Sequence, residues 1–160
     1  MRTLVLGLGN ELYGDDGIGI HVIRKLREGL KQQKPCCWTE NIELEECSLS
    51  GLSLLDVIVG YERLIIIDTI KRENPETGKI HFLEENDLRH VPGPSPHYVS
   101  IPQAIKIGRE CGLKVPSEIR IVAVEAKNIY NLGEGLSEEM ENALPEIAAR
   151  VIDMLKNSRK

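Results

Sequence analysis

The first twenty residues constrain this chain most. An apolar run, Leu4-Val5-Leu6, passes into Gly7-Leu8-Gly9-Asn10 and then into Asp15-Asp16-Gly17-Ile18-Gly19. A strand that ends in a glycine turn and runs on into helical spacing opens a βα unit, which commits the chain to a sheet covered by helices. Gly7 and Gly9 let the backbone turn sharply and present its amides, while Asp15 and Asp16 put negative charge where a nucleotide phosphate would otherwise sit. That combination favours a cation. The third glycine of the dinucleotide fingerprint is missing from Gly7-Leu8-Gly9-Asn10-Glu11-Leu12, so a nucleotide site is disfavoured. One of the two acids can instead serve as a helix cap.

Downstream, the pattern alternates between the two periods. Thr3 to Leu8 reads as a buried strand, and Gly17 to about Gln33 reads as a helix with apolar residues at Ile18, Val22, Ile23, Leu26 and Leu30. Ile42 to Cys47 is a short strand, and Leu52 to Tyr61 is helix-like behind Ser48, Ser50 and Gly51. Arg63 to Ile70 is the strongest strand, because Leu64-Ile65-Ile66-Ile67 is continuous and rich in β-branching, as in a central strand covered on both faces. Lys79 to Leu83 is read as a short antiparallel return after the turn Asn74-Pro75-Glu76-Thr77-Gly78. Glu84 to Ser100 holds Pro92, Gly93, Pro94 and Pro96 and is expected to be a stiff loop carrying His90 and His97. Pro102 is expected to open a helix to about Gly112, Glu118 to Val124 to form the last strand, and Glu138-Glu139 to begin a final helix that Pro145 kinks or restarts. The order predicts an α/β fold: a three-layer α/β/α sandwich on a twisted, mostly parallel five-stranded sheet with one antiparallel strand.

With 160 residues the chain suffices for one domain, 1–160, with a sizeable core. A formal net charge of -5 argues against nucleic acid and anionic lipid as partners, since both demand a basic surface. Met1-Arg2-Thr3 leads straight into a strand without the features of a signal peptide, and the run Leu64 to Ile67 is too short to span a bilayer. The expectation is a cytoplasmic protein with no membrane segment. Cys36, Cys37, Cys47 and Cys111 make neither a CxxC pair nor a zinc-finger spacing and read as reduced thiols.

In an open α/β sheet, sites collect beyond the carboxyl ends of the strands. Three groups are expected there: Asp16 after the first strand, Asp68 at the end of the third, and His97 in the Pro-rich loop. Two carboxylates and an imidazole suit nickel, zinc, iron or manganese better than calcium. If His90 joined, two histidines and one of the carboxylates could instead make an iron site. Asp68 taken alone is equally read as a turn cap, and His21 and His81 as surface or packing residues.

The runs Leu6-Gly7-Leu8-Gly9-Asn10, Asp15-Asp16-Gly17-Ile18-Gly19, Ile66-Ile67-Asp68-Thr69, Ser95-Pro96-His97 and Gly135-Leu136-Ser137 together resemble the hydrogenase maturation endopeptidases, in order along nearly the whole chain. The resemblance implies a twisted five-stranded sheet between helices and a protease that trims a short carboxyl-terminal peptide from the precursor of the [NiFe] hydrogenase large subunit after nickel insertion. It implies that Asp16, Asp68 and His97 contact nickel at the cleavage site, as catalytic and metal residues, the nickel being supplied by the precursor. Two stretches depart from the family pattern. Cys47-Ser48-Leu49-Ser50-Gly51 replaces a Gly-Gly-Thr-x-Gly-like turn, and Glu125-Ala126 stands where a Pro-containing loop is frequent.

Neither a His-Glu-x-x-His helix nor a Gly-x-Ser-x-Gly elbow is present, which leaves metal-assisted hydrolysis as the mechanism. Two other readings stay open from the residues. One is a nickel carrier or chaperone for hydrogenase assembly that uses the same ligands without proteolysis. The other is a peptidyl-tRNA hydrolase, a family that shares the opening Gly-Leu-Gly-Asn but continues with Pro-Gly where this chain has Glu11-Leu12, and whose substrate the acidic balance disfavours.

Overall fold

Two strands anchor the molecule because their residues are apolar on both faces. β1 (Thr3–Leu8) and β3 (Arg63–Ile70) are buried along their whole length, which only interior strands of a doubly covered sheet can be. The structure, a computed structural model, describes residues 1–32, 39–87, 96–127, 129–133 and 135–157, with backbone alone at 32 and 96–100. Cys36, Cys37, His90, Pro92, Gly93, Pro94 and Ser95 lie outside the described residues.

The sheet has five strands in the order β2-β1-β3-β5-β4, with β2 (Ile42–Cys47), β4 (Ile80–Glu84) and β5 (Glu118–Glu125) completing it. Parallel pairing joins β2, β1, β3 and β5, and β4 runs antiparallel along β5. The fold class expected from sequence is the one observed. The helices are α1 (Ile18–Gln32), the short α2 (Leu55–Ile58) behind a 3-10 turn at Gly51–Leu54, α3 (Pro96–Glu110) and α4 (Glu138–Asn157).

Alternation along the strands divides the core in two. Val5, Ile65, Ile67, Val122 and Val124 meet Ile18, Val22, Ile23 and Leu26 of α1 and Met140, Ile147 and Val151 of α4. Leu4, Leu6, Leu64, Ile66, Ile121 and Ala123 meet Leu54, Ile58 and, from α3, Ile101 and Ile105. Each buried Leu or Ile side chain contributes roughly 1.5–3 kcal/mol, so both layers are held by burial.

Three local expectations are corrected. The antiparallel return exists, but β4 pairs with β5, from Ile80↔Val124 to Glu84↔Arg120, and makes no hairpin with β3. β5 takes the interior place because five consecutive residues, Ile121 to Glu125, are buried, whereas β4 leaves Phe82 51% exposed and belongs at an edge. Second, α3 begins at Pro96, so His97 lies in the first turn of a helix and not in a loop, and Pro102 lies inside that helix without opening it. Proline at the first helical position costs nothing, and burial of Ile101, Ala104 and Ile105 carries the helix across the amide missing at Pro102. Third, the final helix does not restart at Pro145: α4 is one helix from Glu138 to Asn157, secured by Ile147, Val151 and Leu155 in the core.

α1, which follows β1, lies on one face, and α3, which the chain reaches after β3 and β4, lies on the other, so the connections that leave these neighbouring strands diverge to opposite faces. A crevice at that switch point is where α/β sheets place their sites.

Candidate functional site

The glycines of the first turn set the site by letting backbone approach backbone. Gly9 has φ 148°, and a Cβ there would lie 1.9 Å from the carbonyl oxygen of Asp16. At Gly19 a Cβ would lie 2.3 Å from the Leu8 carbonyl oxygen and 2.5 Å from that of Ile67. Any side chain at either position would push α1 off the ends of β1 and β3, and with it the 3-10 turn Gly14–Gly17 that carries both acids.

The two acids of that turn are 3% and 7% exposed and divide the work. Asp15 accepts the Ser137 N–H on Oδ1 at 2.7 Å and the Ser137 hydroxyl on Oδ2 at 2.9 Å. Ser137 in turn caps α4, its Oγ accepting the Met140 N–H at 3.3 Å. Asp15 is therefore the structural member of the pair, though it supports the cap of α4 and not of α1. The loops it joins are also bonded directly, Gly14 N–H to the Gly133 carbonyl at 2.8 Å and Gly133 N–H to the Leu12 carbonyl at 2.9 Å.

Asp16 turns toward the crevice. Its Oδ2 accepts the Asn10 N–H at 2.9 Å and its Oδ1 the Thr69 hydroxyl at 2.8 Å. Among the described residues no Lys, Arg or His pairs with it within 4.0 Å. Asp68, fully buried at the carboxyl end of β3, accepts the Thr69 N–H on Oδ1 at 2.7 Å. The structure thus brings Asp16 and Asp68 to one residue, Thr69. The backbone of His97 is in the first turn of α3, on the face of the sheet to which Asp68 belongs, and its side chain lies outside the described residues. Among the described residues no group of three metal-ligating side chains converges.

Reading the sequence alone misses two features. Thr69 is one; its only signal is a hydroxyl residue, fully buried, in an otherwise aliphatic strand next to an acid. The other is Glu125, at the carboxyl end of β5 and 2% exposed. Its Oε1 lies 2.6 Å from His81 Nε2 and 3.7 Å from Arg72 Nη1, and its Oε2 accepts the Glu76 N–H at 2.7 Å. Burial alone would push the Glu125 carboxyl up; the Glu76 amide and His81 outweigh it and hold the group below the usual carboxylate range. His81 is therefore a polar partner of Glu125 as well as a partly buried strand residue. Of the thiols described, Cys47 is buried and Cys111 exposed, both free, and burial pushes the Cys47 thiol up, away from the reactive thiolate.

Comparison with known proteins fixes the family. The model of the HycI hydrogenase maturation protease family matches residues 20–154. The chain belongs to the hydrogenase maturation protease family. It is 28% identical over 160 residues to the hydrogenase 2 maturation protease of Escherichia coli, covering 99% of this chain and 93% of that one. It is 26% identical over 159 residues to a putative hydrogenase maturation protease of Methanocaldococcus jannaschii, covering 96% of both. Among solved structures it superposes on the hydrogenase maturating endopeptidase HybD from E. coli with a TM-score of 0.79 at 25% identity, over 99% of this chain and 94% of the other. As a hydrogenase maturation protease the chain is a peptidase, with the mostly parallel five-stranded sheet of HybD. Among its described residues no helix is long and apolar enough to cross a membrane.

Proposed function

We propose that this protease removes the carboxyl-terminal extension from the nickel-loaded precursor of a [NiFe] hydrogenase large subunit, the last step of that subunit's maturation, in the cytoplasm. The observation that carries the reading is Asp16, a buried carboxylate held by two neutral donors and by no cation among the described residues, beside Asp68 at the switch point. Each Asp16 oxygen has one donor and keeps acceptor capacity, which a divalent cation brought by a ligand can use.

The donor set fits nickel. Asp16 and Asp68 supply hard oxygen donors and His97 an imidazole, and the precursor's thiolates supply soft ones, so the shell is complete only when enzyme and substrate meet. Nickel is thus part of the substrate; Asp16, Asp68 and His97 would contact it, and the chemistry it would supply there is polarisation of the scissile carbonyl or of a water. Asp16, Asp68 and His97 orient the nickel-bearing segment, and the two carboxylates offer acceptors for the proton that water loses as it adds to the amide carbon. Leu12 and Leu132, 56% and 80% exposed on the two bonded loops beside Asp15, give a polypeptide an apolar rim. A weak enzyme-only shell makes cleavage contingent on nickel insertion, so proteolysis proofreads assembly.

The test mixes the purified chain with nickel-loaded and nickel-free precursors of the host's hydrogenase large subunits and follows mass loss, with chelator-treated enzyme in both arms. Cleavage of the loaded form alone is expected. Equal cleavage of both removes the nickel gate, and binding of the loaded form without mass loss favours the carrier reading over the protease.

A further inference from the structure

Asp68 and Thr69 are neighbours in a strand and so point to opposite faces of the sheet. Asp68 shares the face of Leu64, Ile66 and Ile70, covered by α2 and α3, and Thr69 shares that of Ile65 and Ile67, covered by α1 and α4. Asp16, delivered by the turn before α1, approaches from the second face. Thr69 bonds both acids: its N–H goes to Asp68 Oδ1 at 2.7 Å and its hydroxyl to Asp16 Oδ1 at 2.8 Å. With Asn10 N–H on the other oxygen, Asp16 has one donor on each oxygen, which stops rotation of the carboxylate and leaves acceptor capacity on both oxygens.

A hydroxyl is not what this position of β3 needs for packing. Thr69 is fully buried in a strand of Ile and Leu, where a Val of the same shape would spare the desolvation of the hydroxyl. We propose that Thr69 is a positioning residue of the protease: its hydroxyl fixes the Asp16 carboxylate so that Asp16 and Asp68, reaching the carboxyl end of the sheet from opposite faces, act on the same substrate group. This rests on the assignment of Asp16 and Asp68 as working residues.

The test compares Thr69→Val, which keeps shape and loses the hydroxyl, with Thr69→Ser, which keeps the hydroxyl. On the nickel-loaded precursor, Thr69→Val is expected to lower kcat about 10- to 100-fold with KM within about twofold, the size of loss typical when a group orienting a working side chain is removed. Thr69→Ser is expected to stay within about fivefold of the parent, since the same donor remains. Melting temperatures of all three proteins control for folding. Crystal structures of the parent and Thr69→Val supply a readout independent of turnover: the Asp16 carboxylate is expected to be ordered in the parent and rotated or split in the variant. Parent-like kcat in Thr69→Val, equal losses in both variants, or an unmoved Asp16 carboxylate overturns the proposal. A parent that cleaves no precursor overturns the proposed function instead, and the crystallographic comparison then decides the role of Thr69 alone.

Discussion

At the amino end of the sheet, charge is met by charge. Arg63, 3% exposed, has its Nε 3.1 Å from Glu118 Oε1, off the line of a hydrogen bond, and one Nη donating to the Met154 carbonyl at 3.4 Å. Burial pushes the Arg63 guanidinium down, partly opposed by Glu118. Arg2 pairs with Glu43 at 2.7 Å, and the amino terminus with Glu62 at 3.7 Å. At the carboxyl end Asp15 and Asp16 are as buried as Arg63, yet their donors are amides and hydroxyls. The contrast does not come from a shortage of cations, since Glu125 at that same end of the sheet has Arg72 at 3.7 Å. Both acids of the first turn are left to neutral donors, Asp15 to those of Ser137 and Asp16 to those of Asn10 and Thr69, and it is on Asp16 that the proposed contact with a substrate cation rests.

Five sets of substitutions break or sharpen this contrast. The largest effect is expected at the residues of the proposed site: Asp16→Ala, Asp68→Ala and His97→Ala should each lower precursor processing by at least about 100-fold, the scale of losing one preorganised electrostatic group. Asp16→Asn should be as inactive while melting no lower than the parent, because it keeps the shape and removes a buried charge that no cation among the described residues balances. A melting temperature well below the parent's would place Asp16 with the paired charges of the amino end. Next comes Gly9→Ala, whose Cβ would sit 1.9 Å from the Asp16 carbonyl oxygen at φ 148°; a loss of about 3 kcal/mol in urea unfolding is expected from overpacking and backbone strain.

Ser137→Ala should cost about 1 kcal/mol, the usual worth of a helix cap, with processing little changed, because it touches Asp15 and not Asp16. Glu125→Gln tests the paired carboxylate through pH. The folded group titrates below its ordinary value, so its stabilisation is complete above about pH 4.3, the unfolded value, and is lost as pH falls through the folded one. Parent and variant should therefore differ in unfolding midpoint at pH 7 and converge at lower pH; a gap that widens in acid contradicts the pairing. Smallest of all, Arg2→Ala removes an exposed pair at the amino end and should leave both melting and processing unchanged within error.

Much of the architecture is legible from residue type and period. The continuous apolar run of β3 and the glycine turn after β1 predict a parallel sheet with helices on both faces, and the bounds of β1, β2 and β3 match the sequence pattern. Less legible is whatever depends on a remote partner. The start of α3 is misread because two prolines, Pro96 and Pro102, look alike in sequence, whereas one sits at a helix start and the other is carried by buried Ile101 and Ile105. The neighbour of β4 cannot be read from its turn, since β5 enters between β3 and β4 from a stretch 34 positions after β4 ends, at Glu84 and Glu118.

The sequence by itself determined that two adjacent acids would come after a glycine turn at the carboxyl end of a sheet, because strand period, glycine and charge are local properties. Only the tertiary structure decided which acid does what: Asp15 and Asp16 are chemically equal until Ser137, 122 residues away, takes the first and Thr69, 53 residues away, takes the second. A carboxylate's role is set by the donors that face it, and in this chain those donors arrive from β3 and from the start of α4.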